Sequence, residues 1–106
     1  MVVVRPLKDP NAHAKIMQAA GMGNVLYTAH SDVRGKERHA TRPEIEYVLK
    51  SGHREESKDE YKSEYGAWNY AIRGRTVDGK DLRVAVFLAD GGIYVKVATV
   101  IVKGRR

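Results

Sequence analysis

From Gly66 onward the apolar residues recur at every second position, and this switch of period limits the fold more than any other feature of the chain. Trp68, Tyr70 and Ile72 share one side of an extended segment, while Asn69 and Arg73 share the other. Asp78-Gly79 is a hairpin turn signal. Leu82, Val84, Val86 and Leu88 then alternate with Arg83, Ala85 and Phe87. Asp90-Gly91-Gly92 supplies the next turn. Beyond it, Ile93, Val95, Val97, Thr99 and Ile101 alternate with Tyr94, Lys96, Ala98, Val100 and Val102. Strands joined by such short turns run antiparallel.

Before Gly66 the period is helical. Asp9-Pro10 reads as an N-cap followed by proline at the first helical position. Ala12, Ile16, Met17 and Ala20 then form a narrow apolar stripe that Gly21 stops. This predicts a helix from about residue 10 to 20. Val25-Leu26-Tyr27 reads as a brief strand at or near a sheet edge. Ser31 to Arg38 reads as one or two helical turns. Thr41-Arg42-Pro43-Glu44 has capping-box spacing with proline in the first turn. Ile45, Val48 and Leu49 mark the buried stripe of a helix from about 42 to 51, with Lys50 in its last turn and Gly52 beyond it. Ser57 to Gly66 is charged and reads as a loop. Lys103-Gly104-Arg105-Arg106 reads as a basic tail. The expected fold is therefore α+β, with N-terminal helices packed on one face of an antiparallel β-meander sheet.

At 106 residues the chain fits a single domain, residues 1–106, with one modest core. It has no cysteine, which removes disulfides, thiolate nucleophiles and cysteine-ligated zinc. Met1 to Pro6 is too short in apolar residues for a signal-peptide core, and no run reaches membrane-spanning length, so a cytoplasmic location is expected. The formal net charge of +6 and a pI near 9.7 favour polyanionic partners, RNA or DNA before an acidic protein. A solubilising surface is the plainer account of the same charge.

The candidate chemistry sits after Leu26-Tyr27-Thr28-Ala29-His30. If a helix begins at about Ser31, then His30, Arg34, Glu37 and Arg38 fall at i, i+4, i+7 and i+8 on one side. That gathers an imidazole, a carboxylate and two guanidiniums, groups able to move protons around a phosphate and neutralise its charge. His30 is the candidate acid or base; the alternative is a histidine bonded to backbone. Arg34 and Arg38 are spaced to clamp a phosphate, or to pair with Glu37 on a solvated face. Glu37 acts as base or orients its neighbours. His13, His39 and His53 have no metal-ligand spacing, and no metal site is expected. By alternation, Arg73 and Arg83 lie opposite the apolar stripes and would line a basic face with Asn69. Tyr70 and Tyr94 are candidates to stack on a base, although aromatics at strand spacing more often fill a core.

Tyr27-Thr28-x-His30, Arg34-x-x-Glu37-Arg38 and Glu44-x-x-x-Val48-Leu49-x-x-Gly52, followed by the strands, resemble a widespread bacterial family of small proteins known as a domain of unknown function. That family is grouped with RelE-, HigB- and BrnT-like toxins inside the barnase–EndoU–colicin–RelE fold of metal-independent ribonucleases. The resemblance covers about Val25 to Val102, leaving residues 1–24 as an N-terminal arm and helix. Two positions depart from it: Gly35 stands where a bulky apolar residue is usual, and His39 where glycine is common. Glycine weakens the intended helix by about 1 kcal/mol relative to alanine.

The resemblance implies a RelE-like or microbial-ribonuclease-like fold and an endoribonuclease toxin of a toxin–antitoxin module. Such an enzyme cleaves RNA by 2′-OH transesterification without metal or cofactor. His30, Arg34 and Glu37 would be catalytic, and Arg38, Tyr70, Arg73, Arg83 and Thr99 would contact RNA. Thr99 matches a threonine usual in the family's last strand. The implied partners are RNA and an acidic cognate antitoxin, with the ribosome as a further candidate and no membrane. The competing expectation is a binding module without catalysis that uses the same basic face for nucleic acid or protein.

Overall fold

The computed structural model describes the backbone of residues 6–28 and 40–105. Two helices pack on one face of a six-stranded sheet, an α+β fold. In chain order the elements are α1 (Ala12–Gly21), β1 (Val25–Tyr27), α2 (Arg42–Ser51), β2 (His53–Arg54), β3 (Glu60–Lys62), β4 (Ala67–Arg75), β5 (Lys80–Ala89) and β6 (Tyr94–Arg105). The sheet order is β1-β6-β5-β4-β2, with β3 also paired to β4. The β4–β5–β6 meander is antiparallel, but β1 joins β6 in parallel, so the sheet is mixed rather than purely antiparallel. No described helix is long and apolar enough to cross a membrane.

The core is the layer between helices and sheet. Ala12, Ile16, Ala19 and Ala20 of α1 and Ile45, Val48 and Leu49 of α2 meet Ile72, Leu82, Val84, Val86, Val95, Val97 and Val100. These strand residues are β-branched or leucine, types that suit a pleated surface buried on one side. The capping box of α2 forms as its spacing predicts: Thr41 Oγ1 accepts from Glu44 N, and Glu44 Oε1 accepts from Thr41 N at 2.8 Å. At α1 the helix begins two residues later than expected. Asn11 is the N-cap, and Asp9 Oδ1 accepts from Asn11 N at 2.8 Å in a turn that precedes the helix.

Gly52 follows α2 with an ordinary negative φ of −77°, so it is not a left-handed helix terminator. Its requirement is space. A Cβ there would stand 2.6 Å from the Arg73 carbonyl oxygen and 2.6 Å from that of Val48. The missing side chain lets the end of α2 press against β4.

Three further expectations need correction. The charged stretch Ser57–Gly66 is not a plain loop; a 3₁₀ turn at Glu56–Lys58 leads into β3, which pairs Glu60, Tyr61 and Lys62 with Asn69, Trp68 and Ala67. Tyr61 and Trp68 stack edge-on at 5.6 Å, and this contact helps hold the added strand. The basic tail is no tail as far as Arg105, since Gly104 and Arg105 pair with Asp81 and Lys80. Finally, alternation along β6 breaks. Ala85 pairs with Thr99 and Val86 with Val97, leaving Ala98 as an extra residue in a β-bulge. An inserted residue reverses every later side chain. Val95 and Val97 face the helices before the bulge, and Val100 faces them after it. Thr99 and Ile101 therefore move to the opposite face.

Candidate functional site

His30, Arg34, Glu37 and Arg38, with the helix expected over Ser31–Arg38, lie outside the described residues. The other candidates fall on the sheet face away from the helices, with one exception. Tyr70 faces the core and is 4% exposed. Its hydroxyl accepts from Asp9 N at 2.8 Å, and the Arg54 guanidinium lies 5.1 Å from its ring centroid. Tyr70 is thus an anchor for the N-terminal arm, not a platform for a base. Its alternation with Ile72 already placed it on the buried side.

At one end of the open face stand Arg73 and Arg83, neighbours across β4 and β5. Both have carboxylate partners. Arg73 grips Asp81 with two donors, Nε to Oδ1 at 2.8 Å and Nη2 to Oδ2 at 2.7 Å, and donates Nη1 to Glu55 Oε2 at 2.9 Å. Arg83 Nε donates to Glu55 Oε1 at 2.5 Å. Two guanidiniums face two carboxylates, and Arg75 and Lys103 add positive charge near Asp81. Arg83 first, and Arg73 after it, hold the Glu55 carboxyl below its ordinary value. Arg73 does the same for Asp81. The Arg73 guanidinium is in turn driven further toward its charged form, by Asp81 first and then Glu55. Arg73 and Arg83 point where alternation put them, but they are half-buried rather than free cations. A phosphate reaching them would compete with Glu55 and Asp81.

At the other end, the face hollows into a pocket of about 480 Å³. Its floor comes from Asn69 on β4, Phe87 on β5, and Lys96, Ala98 and Thr99 on β6. Lys62, Glu64, Tyr65 and Ala67 also line the pocket, contributed by β3, the turn after it and the start of β4, as does Thr28 just past β1. The bulge at Ala98 falls inside the pocket and is what delivers Thr99 to it. Tyr65 and Phe87 meet edge-to-face, 5.3 Å between centroids. Lys96 is exposed and pairs across the strands with Phe87. Lys62 lies 3.4 Å from Glu60, a weak exposed pair.

Asn69 is the unusual member. It is 5% exposed, and its Oδ1 is enclosed without a hydrogen-bond partner among the described residues. Buried amides are almost always satisfied, and leaving one unpaired costs about 1–3 kcal/mol. Such a group in the lining of a cavity is a candidate binding residue. The sequence carried only a faint sign of it: a polar residue in mid-strand on the side opposite the apolar stripe. Glu55 and Asp81 gave no sign as partners of the arginines. Lys62 and Tyr65 were hidden by reading their stretch as a loop.

Among the described residues no three His, Asp or Glu side chains are grouped to hold a metal ion. The pocket lining holds the ammonium groups of Lys62 and Lys96, the Glu64 carboxylate, the Tyr65 and Phe87 rings, the Asn69 amide and the Thr28 and Thr99 hydroxyls, a set with the mixed aromatic and polar character that a nucleotide uses. No protein-family model, curated protein or solved structure matches the chain.

Proposed function

We propose that the chain binds single-stranded RNA across the pocket end of its open sheet face and cleaves it there. It would act as a metal-independent endoribonuclease, the toxin of a toxin–antitoxin pair. One observation carries the reading: Thr28, which lines the pocket, stands two residues before His30. Two residues of extended chain span at most about 7 Å. The shortness of that link supports assigning the acid–base role beside this cavity. The +6 charge and the ammonium groups of Lys62 and Lys96 support a polyanionic ligand.

In this reaction a base takes the proton of a ribose 2′-OH. The alkoxide attacks the adjacent phosphorus, and the 5′-oxygen leaves as an acid protonates it. The products are a 2′,3′-cyclic phosphate and a free 5′-OH. His30 serves the acid–base role, Arg34 and Arg38 neutralise the added charge of the transition state, and Glu37 orients them. The basic face that takes RNA would also take an acidic antitoxin. Binding without cleavage is the second reading, and it is favoured by the pocket's described lining, which holds cations, rings and an amide but no histidine.

The test is cleavage of a defined RNA by the purified chain, with EDTA present. His30→Ala should lower the rate by about 10²–10⁴-fold, the range for losing one general acid or base, and the wild-type product should end in a 2′,3′-cyclic phosphate. Equal activity per folded molecule in both proteins would remove His30 from the mechanism. No cleavage by the wild type, with binding retained, would leave the second reading.

A further inference from the structure

The unpaired amide of Asn69 has a use that backbone binding alone does not supply. We infer that the pocket takes one unpaired nucleobase, stacked against the Tyr65–Phe87 pair, with the Asn69 amide reading its hydrogen-bonding edge. The inference rests on the RNA-binding reading of the pocket and not on cleavage.

Three features converge. The cavity of about 480 Å³ has room for one purine or pyrimidine with its sugar. Tyr65 is 71% exposed and meets Phe87 edge-to-face, so much of the residue's surface is accessible to a second ring. Asn69 lines the cavity, and its Oδ1, shut off from solvent, has no hydrogen-bond partner among the described residues; a turn of the amide toward the cavity would bring it to a ligand. A side-chain amide presents an acceptor and a donor side by side, and that pair matches a base edge with an N–H donor beside an acceptor. The phosphate groups flanking such a base would lie toward Lys62 and Lys96. A site built for hydrogen bonding rejects a ligand that leaves its buried polar groups unpaired. The unpaired amide is therefore a source of selectivity among bases, kept at a cost to stability.

The experiment uses the full chain and 2′-O-methyl RNA pentamers, which cannot cyclise, so binding is read apart from cleavage. The central position is varied through the four bases and an abasic nucleotide, and Kd is measured by fluorescence anisotropy for the wild type, Asn69→Leu and Tyr65→Ala. The wild type should separate its best and worst base by at least about tenfold. Asn69→Leu should compress that ratio to about threefold or less while binding the abasic pentamer like the wild type. Tyr65→Ala should weaken every base-bearing pentamer by about tenfold, as expected for a lost stacking contact. Leucine nearly matches asparagine in shape and removes an unsatisfied group, so Asn69→Leu should melt no lower than the wild type. Should it fail to fold, Asn69→Ala gives the same comparison. A wild type indifferent to the central base overturns the inference, as does a preference that survives loss of the Asn69 amide. Base preference without cleavage of ordinary RNA would sink the ribonuclease reading and leave this one standing.

Discussion

The two ends of the open sheet face are made from the same three strands, yet they treat polar groups in opposite ways. At the Arg73–Arg83 end both guanidiniums are met by carboxylates, while Arg75 and Lys103 add positive charge beside Asp81. Glu55 bridges both guanidiniums, and Asp81 takes two hydrogen bonds from Arg73. At the pocket end, a buried amide oxygen has no partner among the described residues and Lys96 stands exposed. The first arrangement spends its polar groups on the fold. The second leaves them for a ligand, the usual signature of a binding site that costs stability. Basic residues on a strand are therefore poor guides to a nucleic-acid face until their carboxylate partners are counted.

The comparison breaks most visibly at the satisfied end. Gly52→Ala would drive a methyl group into the Arg73 and Val48 carbonyl oxygens, both 2.6 Å away. It should cost about 3 kcal/mol, the upper range for overpacking, and urea denaturation would read it as a lower midpoint with an unchanged slope. Glu55→Gln removes the charge shared by two half-buried guanidiniums. The loss should be about 2 kcal/mol, between the limits for exposed and buried pairs, while RNA affinity stays within about twofold. If this variant is as stable as the wild type and binds RNA more tightly, the cluster is a phosphate site held in check by Glu55, and the contrast between the two ends is wrong.

Acid should act on the same end. Glu55 and Asp81 both have folded-state values below their ordinary 4.5 and 3.8. Their stabilisation is complete above those values and is lost as pH falls through the lower folded ones. The melting temperature should hold from pH 7 to about 5 and fall below about 4. In Glu55→Gln that fall should be shallower. The smallest effect belongs to the pocket. Lys96→Ala should leave the melting temperature unchanged and lower the salt dependence of RNA binding by about 0.7 in log–log slope, one phosphate contact on a single strand.

Much of this fold was legible in the chain. The change of period at Gly66, the Asp78-Gly79 turn and the capping box at Thr41–Glu44 mark the meander and α2 because each is a local preference that packing did not overrule. β3 was not legible, since its three residues, Glu60, Tyr61 and Lys62, pair with β4 through long-range contacts and carry no apolar alternation. The bulge at Ala98 was invisible for a related reason: one extra residue among Val97, Ala98, Thr99 and Val100 leaves a run that reads as apolar on either face. The candidate site was half legible. The face holding Arg73 and Arg83 followed from alternation, and Thr99 was named only by the resemblance, since alternation put it on the other face. The partner shared by the two arginines is Glu55, 18 residues before Arg73 and 28 before Arg83. Tyr70 was misassigned as a stacking residue because strand periodicity gives a side but not the Asp9 arm that covers it.

The account rests on RNA entering at the unsatisfied end. Amide chemical shifts of the folded chain, recorded while a 2′-O-methyl RNA pentamer is titrated in, test this directly. Phe87, Lys96 and Thr99 should move together and saturate with one affinity, while Glu55, Arg73 and Arg83 stay within background. Saturable shifts at Glu55, Arg73 and Arg83, with Phe87, Lys96 and Thr99 unmoved, would contradict it.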